Sequence, residues 1–217
     1  MSAAEEKQRV WRALWRAKMH LEPHVWSLVP PSVQAAYEHP WQPAERLFDL
    51  VRPWPLGLLR AWQDSRRGHV IFGRLPSQYR PGPLPWREET LEGVCHISLQ
   101  ELLQEETRVL LALFQMMDHL LGSDGAPDGP WLSDGAGITP ALAAVGAQVA
   151  QSYALGYWQG ALEVRDAHDY FAHTLWLHLH DPRRLNVLDP LLHKLYRRTL
   201  MNDTFWPQAR PDAPARR

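Results

Sequence analysis

The sequence has one cysteine, Cys95. A lone thiol can form neither an internal disulfide nor a cysteine-based zinc site, so neither staples this fold. No apolar run approaches the roughly 18 residues a membrane-spanning helix needs. The first residues, Met1 to Gln8, are polar and carry Glu5 and Glu6, without the basic-then-apolar pattern of a secretory signal. The expectation is a cytoplasmic chain with no membrane partner. Basic residues cluster only as short pairs (Arg183–Arg184, Arg197–Arg198, Arg216–Arg217), and net charge is −1. A nucleic-acid footprint needs a longer basic stripe, so that class of partner is excluded.

What remains is an ordinary globular composition, 45% hydrophobic and 22% charged over 217 residues. That length suits one large domain or two small ones. The eleven tryptophans are spread along the chain, which suits core filling rather than a stacking surface.

Apolar spacing predicts a helix over residues 4–20, on the face of Val10, Leu14 and Met19. The proline-rich stretch 28–57 leaves room for short helices near 32–38 and 43–51, with Pro43 in a first turn. Another is expected at 55–64. His69 to Phe72 and Gly93 to Ile97 read as strands able to pair antiparallel. Between them, Pro76, Pro81, Pro83 and Pro85 argue against regular structure. Ser98 with Glu101 is a capping-box pattern. It opens apolar spacing through Leu121, as one helix or as two broken near 104–107, with Gly122 as a left-handed stop.

Residues 122–138 hold five Gly and three Asp. They read as a connector; calcium is the alternative, but EF-hand spacing is absent. Thr139–Pro140 starts a helix over 140–155 whose small-residue face, including Gly146, suits close approach to a neighbouring helix. Asp166 caps a helix over 167–180, and Asp189–Pro190 opens one over 190–201. The tail 207–217 is expected to be disordered.

The segment Gln115-Met116-Met117-Asp118-His119 carries the chemical clue. Zinc peptidases place His-Glu-x-x-His on one helix, so that two imidazoles grip a metal and the Glu activates its water. Here only the second His stands, as His119. By itself one helical His is more often a packed histidine than a ligand.

Further on, Asp169-Tyr170-Phe171-Ala172-His173 leads to Asp181–Pro182, then to Asp189-Pro190-Leu191-Leu192 and Leu195–Tyr196. In order and spacing these segments resemble the catalytic domain of the anthrax-lethal-factor type of zinc peptidase, over roughly residues 68–201. The resemblance implies an α+β, mainly α, zincin-like fold with a small antiparallel sheet. It implies a helical, proline-rich segment over 1–66 packed on a peptidase-like domain over 67–206.

Carried over by position, His119 is the surviving metal ligand, and Asp169 replaces the family's third ligand, a Glu. Gln115 stands at the first-His position and Met116 at the general-base position, where it is not functional. His173 stands where the family has a second Glu near the metal. No substrate-side tyrosine is assigned; Tyr153 and Tyr157 are candidates by neighbourhood alone.

Catalytic zinc needs three protein ligands and an open position, and Met116 cannot accept a proton. The expectation is a catalytically impaired domain with no cofactor, binding a protein or peptide partner. One alternative is a working zinc or other divalent site built from His119, Asp169 and His173. Another is a helical interaction module unrelated to peptidases.

Overall fold

The computed structural model describes residues 2–209. The fold is α+β and mainly α. The first helix, α1 (Ala3–Lys18), is closed by a reciprocal cap. The Glu5 amide donates to the Ser2 hydroxyl at 3.2 Å, and the Ser2 amide donates to the Glu5 carboxylate at 2.6 Å. Val10, Trp11 and Leu14 are its buried face. The helix ends two residues before the expected boundary, because Met19–Leu21 is a strand, β1. Short helices α2 (Val25–Leu28), α3 (Pro31–Ala35), α4 (Gln42–Val51) and α5 (Leu56–Asp64) follow. Pro43 sits in the first turn of α4, where it forfeits no intrahelical hydrogen bond.

Strands come next: β2 (His69–Gly73), β3 (Gln78–Arg80), β4 (Leu84–Trp86), β5 (Glu89–Leu91) and β6 (Val94–Ser98). The main sheet has the order β1-β2-β6-β3, and β4–β5 form a separate antiparallel pair. The expected partners β2 and β6 do pair, but in parallel, from His69 opposite Val94 to Gly73 opposite Ser98. The antiparallel place beside β6 belongs to β3. Residues 74–93 form the crossover that parallel pairing demands. That proline-rich stretch is therefore not irregular. Its prolines punctuate short strands, and Pro85 lies in the two-stranded pair, where a missing ladder donor is tolerated. Both β2 and β6 are buried along almost their whole length, as strands covered on both faces are.

The helix expected from Leu99 is two helices, α6 (Glu101–Gln104) and α7 (Glu106–Ser123), broken at Glu105. Only half of the predicted capping box forms. The Glu101 amide donates to Ser98 Oγ at 3.3 Å, while its carboxylate turns to the Ser77 amide (2.7 Å) and Arg108 (3.2 Å). The left-handed stop is Asp124 (φ 56°), not Gly122. Gly122 is required for a different reason. A Cβ there would lie 2.4 Å from the backbone of Trp131 and Leu132, which passes across the helix.

The remaining helices are α8 (Pro140–Leu155), α9 (Ala167–His180), α10 (Pro182–Leu188), α11 (Pro190–Arg198) and α12 (Trp206–Ala209). Thr139, Asp166 and Asp189 cap α8, α9 and α11, as their spacing predicts. At Gly146 the close neighbour of α8 is the 131–137 segment, which includes a single 3-10 turn at Leu132–Asp134, rather than another α-helix: a Cβ would meet the Ala136 carbonyl at 2.3 Å. Of the expected disordered tail, residues 207–209 belong to α12 with Ala209 buried. Residues 210–217 lie outside the described residues. Among the described residues no helix is long and apolar enough to cross a membrane.

Candidate functional site

At about 100° per residue, Arg108, Ala112, Gln115 and His119 share one face of α7. Over its N-terminal part that face floors a groove of about 710 Å³. Gln78 of β3 forms part of one wall, and Glu163, Arg165, Asp169 and His173 belong to the segment opening α9. Asp169 and His173 are four apart on α9 and so project to one side.

Within the groove the polar groups answer one another. Gln115 Nε2 donates to Asp169 Oδ1 at 2.6 Å. Arg165 grips the same carboxylate with two donors, Nε at 2.5 Å and the terminal nitrogen at 2.9 Å. Burial alone would raise the Asp169 carboxyl, but the Arg165 hydrogen bonds and charge, aided by His173, reverse this and hold it below the usual carboxylate value. Asp169 is thus anionic at neutral pH. Burial lowers His173 more than the nearby Asp169 raises it, so its imidazole is neutral there.

One turn further along α7 the same face is roofed over. His119 is fully buried and does not line the groove. Its Nε2 lies 3.2 Å from the Gly129 carbonyl, which can only accept, so this nitrogen carries the hydrogen and donates. Its Nδ1 lies 2.7 Å from the Tyr79 hydroxyl and accepts from it. Trp131 stacks on the His119 ring at 4.7 Å and on the His168 ring at 4.0 Å, between the two. Beneath the roof Asp118, also fully buried, accepts from the Ser133 amide at 2.8 Å and the Ser133 hydroxyl at 2.6 Å. His168 Nδ1 is 3.6 Å from that carboxylate. The hydrogen-bond partner of His168 Nδ1 is the Ser133 hydroxyl oxygen, 2.9 Å away, and burial raises the Asp118 carboxyl to about 6 despite the nearby His168 and the two Ser133 hydrogen bonds. Burial would lower His168, but Asp118 outweighs it and raises the imidazole.

The expected constellation is therefore split. Gln115, Asp169 and His173 come together in the groove, and His119 is separated from them by its own hydrogen bonds. These residues do not fit the zinc that the resemblance implies. Both nitrogens of His119 are engaged, Gln115 is a neutral amide donating to Asp169, and Asp169 is shared with a guanidinium. Among the described residues no group of three or more His, Cys, Asp and Glu side chains is placed to hold a metal ion. Met116 is fully buried in the core, about 100° around the helix from Gln115.

The histidines of α9 disperse for the same geometric reason: His168 meets Trp131, His178 pairs with His193, and His180 stacks on Trp176. Tyr153 stacks on Trp158, and Tyr157 is exposed; neither lines the groove. Sequence reasoning missed Tyr79, Trp131 and Arg165. Only Arg165 left a signal, its spacing of four from Asp169. The chain matches no protein-family model, no curated protein and no solved structure.

Proposed function

We propose that the chain is a non-catalytic domain of the lethal-factor-like, zincin type that acts in the cytoplasm and binds a protein or peptide partner in the groove that α7 floors between β3 and the segment opening α9. The observation that carries this is the Gln115–Asp169–Arg165 set. At the positions where the resemblance puts metal ligands, an amide donates to the carboxylate and a guanidinium neutralises it. Arg165 supplies the positive charge that a metal would otherwise bring. Met116, at the general-base position, has no surface from which to reach a substrate.

The groove itself suits an extended peptide. β3 is the outer strand of the sheet, and an edge strand offers backbone donors and acceptors to an added strand. Arg108, Glu163, Arg165 and Asp169 give the groove charges of both signs, which suits mixed polar side chains.

Metal content and peptidase activity of the untagged protein test this. Expected are zinc well below one ion per chain and no cleavage of a mixed peptide library. Gln115→His, which restores the missing imidazole, changes neither. Stoichiometric zinc together with cleavage that disappears in His119→Ala would overturn the proposal.

A further inference from the structure

Where α10 gives way to α11, a second groove of about 610 Å³ shares no lining residue with the first. Arg183, Lys194, Arg197, His193 and Asn186 line it, and no carboxylate does. Among the described residues Arg183, Lys194 and Arg197 form no ion pair, although the chain has net charge −1. The carboxylates nearest in sequence are committed elsewhere. Asp181 caps α10 by accepting from the Arg184 amide at 3.1 Å. Asp189 is buried, caps α11, and accepts from the Ser152 and Tyr170 hydroxyls. Burial, then the unanswered charge of Arg197, holds the His193 imidazole below its ordinary value.

An apolar border adjoins these cations. Leu191 is 71% exposed and walls both this groove and a smaller one of about 100 Å³ formed with Leu155, Leu192 and Leu195. Val187, on the exposed side of α10, is 85% exposed. Leu191 and Leu155, 52% exposed, share the smaller groove, and exposed aliphatic side chains lining one concavity mark an interaction surface more often than single exposed residues do. Unmatched cations in one concavity and leucines in the next require a ligand that brings both anions and an aliphatic group. Both features are concave, so they receive side chains from a polypeptide, whereas a flat bilayer would not reach their floors.

We propose that the α10–α11 surface docks an acidic segment of a partner protein. Its carboxylates face Arg183, Lys194 and Arg197, and a bulky aliphatic residue crosses Leu191 into the Leu155–Leu195 groove. The charges steer the encounter and the leucine contact holds the complex.

Fluorescence anisotropy with the full chain tests this, using a fluorescein-labelled peptide of glutamates flanking a central leucine. The expected result is binding that weakens about tenfold or more on charge reversal of the exposed trio, Arg183→Glu/Lys194→Glu/Arg197→Glu. Binding also falls as salt shortens the screening length from about 10 Å at 0.1 M to about 3 Å at 1 M. Leu191→Ser, or serine in place of the peptide's leucine, weakens it several-fold. Arg165→Ala, in the other groove, leaves it unchanged, so failure of either proposal is told from failure of the other. Circular dichroism checks that the variants fold. No binding, or binding indifferent to charge reversal, overturns the proposal. Equal binding of the serine peptide also overturns it, reducing the contact to charge alone. Tighter binding to phosphatidylserine vesicles than to the peptide would assign the surface to a membrane instead.

Discussion

Gln115 and His119 sit on the same face of α7, about 40° apart, and live in opposite surroundings. Gln115 faces an open groove and shares Asp169 with an Arg165 side chain that is 82% exposed. His119 is closed under Tyr79 and Trp131, with both ring nitrogens engaged. Helical phase decides which residues share a face. What covers each part of that face is decided by segments distant in sequence. The consequence is a contrast in commitment: the polar groups at the roofed end are spent on internal contacts, and the open end stays accessible to solvent.

The roofed end should be costly to disturb and the open end cheap. Asp118→Ala strands two Ser133 donors and the His168 partner, and should cost about 3–5 kcal/mol by urea denaturation, as breaking a buried pair does. The same group sets a pH dependence. Its ordinary value of 3.8 is raised to about 6. Between these the folded state keeps a proton that the unfolded state has lost, so stability falls as pH climbs from about 4 to about 6. His168, raised in the fold, acts in the same sense at higher pH: its contribution is full below the imidazole's unfolded value and is lost as pH passes the raised one. Urea midpoints of Asp118→Asn across this range should lack the Asp118 decline.

Trp131→Ala should cost roughly 2–3 kcal/mol, somewhat under the range for a fully buried aromatic, because Trp131 is only half-buried. It should also raise the accessibility of His119 to diethyl pyrocarbonate. Tyr79→Phe removes one hydroxyl and leaves a buried imidazole acceptor unmet, a loss of about 1 kcal/mol. Arg165→Ala should move the melting curve least, by about 0.5 kcal/mol or less, as exposed ion pairs do. If Arg165→Ala proved as costly as Asp118→Ala, the contrast between the two ends would collapse.

Much of this was legible beforehand, and the failures share a cause. The caps at Thr139, Asp166 and Asp189 were visible because each depends on residues within one turn. That Asp169 and His173 share a face followed from helical phase; that Gln115 lies with them was only what the resemblance implied. The burial of His119 was not visible. Its roof comes from Tyr79, forty residues upstream, and from Trp131 in a glycine-rich stretch that reads as a connector. That stretch lies flat on α7 and α8 because Gly122 and Gly146 let backbone meet backbone. Neither glycine falls in a pattern that names its partner. The direction of β2 against β6 was hidden for a similar reason, since β3 takes the antiparallel position from inside a proline-rich run.

Strand β1 is only three residues long, yet it decides how the chain can be divided. Met19–Leu21 pairs with Val70–Phe72 across some fifty residues of sequence, so the proline-rich N-terminal portion contributes a piece of the main sheet. A chain cut at residue 66 would leave β2, apolar and buried along most of its length, with a bare edge of unpaired backbone groups. Such an edge recruits other chains. Three residues of strand thus serve as a guard rail against self-association, and the N-terminal helices are the means of keeping it in place.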